Sequence, residues 1–534
     1  MMLDGARPPS LRAPQTRGRS DAPVDDVTSA VFAALADSRW PEAIRLVECH
    51  FPLLISHRPA VVRAVADALP PAELRRRPRW MGMRQYVTHL LTYPSKPPVF
   101  PDTEIRVPEH MPPSDRLDLL TARTAGLRTR GRYEAAAEVA ENAFEAWQGL
   151  SPEDRADTQP RIGTLATQWG MTLAAAGLIA RAVQVLTEAH AVSESTGNVR
   201  AALESAGELA WLHAMNGTGA AADRWIARSA ELRARHPDVQ RVRAGAALGA
   251  AYRASDRLDF DSAVGLVSDP AHDFEELTVM AAAVRAVFGT RGGEADPVDM
   301  MSRLEVAVES QPAPRTAGGL NACAFAIARG TLLAYQGMHE AALLALAQCP
   351  DLPRPAIGLV RARKAAARLG LGDIPGALRE IAHETSSPSP RIRVESLVVR
   401  AAAMLRQGQD ASASASFRLA VDTAATHGLR ASLAVVSRAD LSALAATAGI
   451  PSLADLITSR VLLPPATSDV IGRLSPQQLA VLRASAEHDQ IGEVAAALAL
   501  SPNTVKTHLQ AAYRRLGVSD RGAAIEEASR RGLL

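Results

Sequence analysis

Aromatic residues are scarce in this chain of 534 residues, at 4%. Strands are built from aromatic and β-branched residues, so this scarcity argues against sheets, and the abundant alanine and arginine favour packed helices. Cysteine is scarcer still. Cys49, Cys323 and Cys349 are odd in number and far apart, and none forms a CxxC pair. That usage argues against a zinc site and a disulfide framework and fits a reducing cytosol. No run of about 18 apolar residues occurs, so no membrane span is expected. The stretch from Met1 to Asp26 holds arginines and prolines but no apolar segment of the kind a secretory signal needs. A cytoplasmic protein is expected. The formal net charge is only +2, so any nucleic-acid contact must be a local patch.

Catalytic patterns are missing too. No Gly-x-x-x-x-Gly-Lys-Ser/Thr loop is present to cradle phosphates, and there is no Gly-x-Ser-x-Gly elbow. His339-Glu340-Ala341-Ala342-Leu343 begins like a zinc-protease helix, but Leu343 stands where the second histidine belongs. His339 and Glu340 are expected on a polar helix face. No alternation of strand and helix marks a receiver or another α/β domain. The expectation is a non-enzyme with no cofactor, no metal and no catalytic residue.

What is present is helix after helix. Residues 1–26, rich in Pro, Arg, Ser and Asp, read as a disordered tail. Residues 27–457 carry an internal repeat, in which a glycine is followed five positions later by alanine: Gly131/Ala136, Gly177/Ala182, Gly217/Ala222, Gly337/Ala342, Gly372/Ala377 and Gly408/Ala413. The long gap between Gly217 and Gly337 has room for more units, and the segment Arg257 to Ala263 reads as a degraded copy. Each unit predicts a helical hairpin: glycine turns the chain, and the small alanine lets the second helix approach the first. Trp169 and Trp211 are expected to pack between helices. Leu74-Arg75-Arg76-Arg77-Pro78-Arg79 reads as a solvated basic turn, with a helix ending before Pro78. Residues 458–472, including Leu463-Pro464-Pro465, form a linker.

Residues 473–534 predict a compact bundle of four helices. Ser475-Pro476-Gln477-Gln478 opens the first, with Leu479, Val481 and Leu482 inward. The second runs from Ile491 to about Leu498, with Val494, Ala495 and Leu498 on one face. Ser501-Pro502 caps a third, which buries Val505, Leu509, Ala512 and Leu516 and ends at Gly517. A fourth, from about Asp520 to Arg530, buries Ala524, Ile525 and Ala528. Two helices joined by a tight turn, the second basic, is the helix-turn-helix plan. From Ser501 to Gly517 the charged residues are Lys506, Arg514 and Arg515, with no acid among them. Lys506 is one of only three lysines, with Lys96 and Lys364. The candidate DNA-contacting residues are Ser501, Asn503, Thr504, Lys506, Thr507, His508, Gln510, Arg514 and Arg515.

The repeat pattern, clearest in Gly131-Arg132-Tyr133-Glu134-Ala135-Ala136, resembles the tetratricopeptide repeat. Its period is often longer than the roughly 34-residue standard and nearer that of MalT-like regulators. Leu474-Ser475-Pro476, Val481-Leu482, Ala486-Glu487, Val494-Ala495, Leu498, Ser501, Thr504 to His508, Leu516-Gly517-Val518 and Arg521 together resemble the LuxR-type (NarL/FixJ-type) DNA-binding domain. The resemblance implies an all-α bacterial transcription regulator: a tetratricopeptide-like solenoid followed by a four-helix module, without the ATPase of its larger relatives. It implies that Lys506, Thr507 and Gln510 face bases and that Thr504, His508 and Arg514 hold phosphates. It also implies promoter DNA and RNA polymerase as partners and a homodimer through the last helix. The solenoid would receive a protein or a small molecule. The sequence departs from the pattern at Gln477-Gln478, where Arg-Glu is usual, and at His488 and Ala499, where glycine is usual. These departures leave open an alternative, a protein-interaction scaffold with a weak or vestigial DNA-binding module.

Overall fold

The computed structural model describes residues 24–92, 111–239, 242–353, 356–453, 456, 461, 463–465, 474, 476–498, 500–516, 518–530 and 534. Residues 1–23 of the expected tail and most of the expected linker lie outside them. The described residues form helices and no strand. The first helix opens at Val24, within the stretch read as tail.

From Pro113 onward the chain makes eight helical hairpins among the described residues. They are Pro113–Thr129 with Tyr133–Gln148, Pro152–Ala175 with Ile179–Thr196, Val199–Asn216 with Gly219–Arg235, and Gly245–Asp256 with Phe260–Ser268. Then come Thr278–Gly292 with Pro297–Glu309, Gly319–Tyr335 with His339–Ala347, Ala356–Leu371 with Ile374–Glu380, and Pro390–Arg406 with Asp410–His427. Every hairpin turn holds one residue at positive φ: Gly131, Gly177, Gly217, Leu258, Gly293, Gly337, Gly372 and Gly408. Leu258, at φ 67°, takes the glycine's place in the degraded copy. The paired alanines Ala136, Ala182, Ala222, Ala263, Ala342, Ala377 and Ala413 are all 0% exposed. Glycines also set the helix-to-helix distance. A Cβ on Gly170 would lie 2.4 Å from Leu186 Cγ, and one on Gly330 2.6 Å from Leu346 Cγ.

Residues 24–92 do not follow this rule. They form a separate helical cluster around Val31, Leu54, Val62 and Trp80. It sits on the first three hairpins, and Arg200 Nε of the third donates to Ile55 O at 3.0 Å. Arg79, expected in solvent, pairs with Glu48 at 3.1 Å and Asp115 at 3.4 Å. The helix before it does end ahead of Pro78. His339 is also a correction: it is buried, packed against Gly370, while Glu340 stays exposed. Trp169 and Trp211 are buried, donating to Thr121 Oγ1 at 2.7 Å and Glu208 Oε2 at 2.9 Å. Cys323 and Cys349, expected as unpaired thiols, form a disulfide, because the sixth hairpin brings their Cα atoms to 4.8 Å.

The hairpins wind into a superhelix that touches itself. Gly319, opening the sixth hairpin, lies against Tyr133 of the first. Gly177 in the second turn meets Leu352 and Ala356 at the start of the seventh. In the third turn, Asn216 O accepts from Ser389 Oγ at 2.8 Å, and Met215 O accepts from Arg391 Nε at 3.0 Å, both from the eighth. Each of the first three hairpins therefore meets the fifth one after it. The first helices line an axial channel. Beneath the N-terminal cluster its wall carries Arg128, Arg161 and Arg243 with Asp118, Glu204 and Glu275. Burial pushes the Glu275 carboxyl up to about 8, and raises Asp118 and Glu204 as well.

Candidate nucleic-acid interface

The C-terminal module folds around Val481, Leu482, Val494, Ala495, Val505, Leu509, Leu516, Ala524 and Ala528. Its helices are Pro476–Glu487, Ile491–Ala497, Pro502–Leu516 and Arg521–Arg530. Leu479, Leu498 and Ile525, expected fully inward, are half-buried. Local chemistry fixes the helix ends. The Glu493 carboxylate accepts from Gln490 N–H at 3.4 Å, and Asp520 Oδ1 accepts from Ala523 N–H at 2.8 Å. Leu500 N–H returns to Ala495 O at 2.9 Å and closes the tight turn between the second and third helices. Ser475, Ala499 and Gly517 lie outside the described residues. The third helix is closed by Val518 N–H on Tyr513 O at 3.0 Å.

That third helix separates its two sides cleanly. Val505, Leu509, Ala512 and Leu516 are buried at helical spacing. Asn503, Lys506, Thr507 and Gln510 are exposed, and Thr504 and His508 are half-buried beside them. Ser501 caps the helix: its Oγ accepts from Thr504 N–H at 3.1 Å and lies 2.7 Å from Thr504 Oγ1. Thr507 Oγ1 donates to Asn503 O at 2.9 Å, which fixes its rotamer and leaves its lone pairs outward. Lys506, Thr507 and Gln510 thus share one face one turn apart. The backbone of Arg514 and Arg515 continues the helix, and their side chains lie outside the described residues.

Two features were not foreseen. Arg521 reaches from the fourth helix to the carbonyl oxygens of Ser485, His488 and Asp489, capping the end of the first helix. Gln478, at a departure from the family pattern, is buried. The partners of Arg521 could not be read from sequence, since backbone carbonyls carry no residue signature.

Residues 473–528 match the family described as bacterial regulatory proteins, luxR family. The C-terminal segment is a helix-turn-helix domain of that family. A protein named probable transcriptional regulatory protein NarL, from two strains of Mycobacterium tuberculosis, is 49% identical over 61 residues. Those residues are 11% of this chain and 28% of the relative, so the chain spans little more than a quarter of the relatives it matches. A solved structure titled crystal structure of APC/C hetero-tetramer Cut9-Hcn1 aligns over 95% of this chain and 96% of its own, at 12% identity and a TM-score of 0.37.

Proposed function

We propose that this chain is a sequence-specific DNA-binding transcription regulator. One observation carries the reading: the third helix of the module buries its apolar side and offers Lys506, Thr507 and Gln510 together on an exposed side that holds no acid. Lys506 and Gln510 reach base edges in the major groove, where an amide pairs with adenine N6 and N7. Ser501, Asn503, Thr504, His508, Arg514 and Arg515 grip the flanking phosphates, and the positive end of the helix adds to that grip. The last helix pairs two modules on a two-fold operator, and RNA polymerase is the downstream partner. We read three parts in the chain: a helical arm whose tetratricopeptide-like hairpins begin at Pro113, a linker from 458 to 472, and the DNA-binding module from 473. The arm is the sensory or docking part, in a cytoplasmic protein.

Chromatin immunoprecipitation of the tagged full-length chain, beside Lys506→Ala, tests this. Sharp peaks lost in the variant are expected and would name the operator. Peaks indifferent to the substitution would sink the reading.

A further inference from the structure

The first helices of the third to eighth hairpins line a second cavity, of about 100 Å³. Most of its wall is apolar, with Met280, Val284, Phe288, Ile327 and Leu359 facing in. Arginines line it as well. Arg391 is held by both oxygens of Asp256, at 2.8 and 3.0 Å. Arg363 donates to Glu395 Oε1 at 2.9 Å. Arg291 has no carboxylate partner among the described residues. Its Nη2 donates to Ala431 O at 2.8 Å, its guanidinium lies 5.6 Å from the Phe260 ring, and its Nε makes no hydrogen bond among the described residues. Only 5% of Arg291 is exposed. Glu395 is 2% exposed, and its Oε2 likewise has no donor. Arg291 and Glu395 both line this cavity, each keeps one buried polar atom without a hydrogen-bond partner among the described residues, and the lining carries one positive charge more than its ion pairs neutralise.

A buried guanidinium without a counter-charge is costly, and an anion that reaches it recovers that cost. The excess is a single charge in an apolar chamber, which favours a monoanion over a phosphate dianion. A carboxylate fits the guanidinium best, since its oxygens accept in the plane of the N–H donors. We infer that this cavity binds a small organic monocarboxylate with an apolar aromatic or short aliphatic body, its carboxylate on Arg291 and a hydroxyl or N–H donor on Glu395 Oε2. This deepens the reading of the arm as the sensory part and rests on it.

Isothermal titration calorimetry on the full chain tests the site. The probes are phenylacetate, mandelate and octanoate, with phenylethanol and octanol as uncharged counterparts. At least one carboxylate is expected to bind at one site per chain, at least about tenfold tighter than its alcohol, as one charge-assisted hydrogen bond implies. Arg291→Met should remove that preference and Arg291→Lys should keep part of it. Ile327→Trp, which fills the chamber without touching the charge, should abolish binding of acid and alcohol alike. Far-UV circular dichroism identifies any variant that fails to fold. If Arg291→Met does so, Arg291→Lys and Ile327→Trp decide. No binding of any carboxylate at millimolar concentration, or unchanged binding by the folded variants, overturns the proposal. DNA binding of the same samples, followed by fluorescence anisotropy, shows whether a failure belongs to this cavity or to the regulator reading itself.

Discussion

The arm holds a set of arginines buried inside, and the module keeps Lys506 outside. Arg128, Arg161, Arg243, Arg253, Arg291 and Arg391 are all buried in the superhelix, most against carboxylates and backbone carbonyls. Lys506 stands exposed on a helix that makes its own internal bonds without it. The same type of charge thus serves two ends. Buried and paired, a cation fixes geometry and costs stability when its partner is lost. Exposed and unpaired, it contributes little to the fold and remains available to an outside anion.

The sharpest way to break this contrast is Arg391→Met. It strips the guanidinium that joins Asp256 to the carbonyls of Ala214 and Met215 across the superhelical turn. A loss of about 3 kcal/mol is expected in urea unfolding of the full chain. A loss below about 1 kcal/mol, the range of an exposed pair, would show that burial does not set the value. The mirror experiment is Lys506→Ala. Affinity for operator DNA should fall by roughly 1–3 kcal/mol, with unfolding changed by less than about 0.5 kcal/mol. Loss of both together would mean that the lysine is structural.

The acids of the channel sharpen the comparison through pH. Glu275 sits near 8 in the fold against 4.5 for an ordinary glutamate. Above pH 4.5 the unfolded chain releases this proton while the folded chain keeps it until about 8, so this group lowers stability progressively across that window. Glu275→Gln should therefore raise the urea midpoint at neutral pH and leave it unchanged at pH values below 4.5. An identical pH profile for the variant and the parent would refute the assignment.

The smallest effect concerns the turns. Gly372, at φ 80°, has open space where a Cβ would go, so Gly372→Ala should cost about 1 kcal/mol from backbone conformation alone. Leu258→Gly relieves the same strain but gives up a half-buried side chain, and a net change near zero is expected in the same unfolding assay. A large loss would mean that Leu258 is held for its packing.

The repeat was legible because its rule is local. Glycine and alanine five positions apart encode one turn and one close contact, and even the degraded copy at Leu258 was placed by Ala263. Gly293 escaped because Val298 stands where alanine was sought. Residues 24–92 carry no such spacing, so nothing in the sequence set their cluster apart from the array. The closing of the superhelix was invisible too, since it depends on small rotations summed over five hairpins. The enclosed arginines share that problem: half-buried Arg79 and buried Arg291 look like surface residues until distant helices close over them. In the module the exposed and buried sides of the third helix were read in advance, because helical period alone separates them. The grip of Arg521 was not, for it runs through carbonyls.

A rod of stacked repeats can gain or lose a unit and remain a rod. A superhelix whose first, second and third hairpins mate with the sixth, seventh and eighth has instead the logic of a screw thread. Deleting one hairpin would bring every later unit against the wrong mate: Tyr133 would no longer find Gly319, nor Asn216 find Ser389. Length is therefore not a free variable for this arm. Its descendants can vary loops and side chains with ease, but they can change the number of hairpins only by rewriting contacts a full winding away.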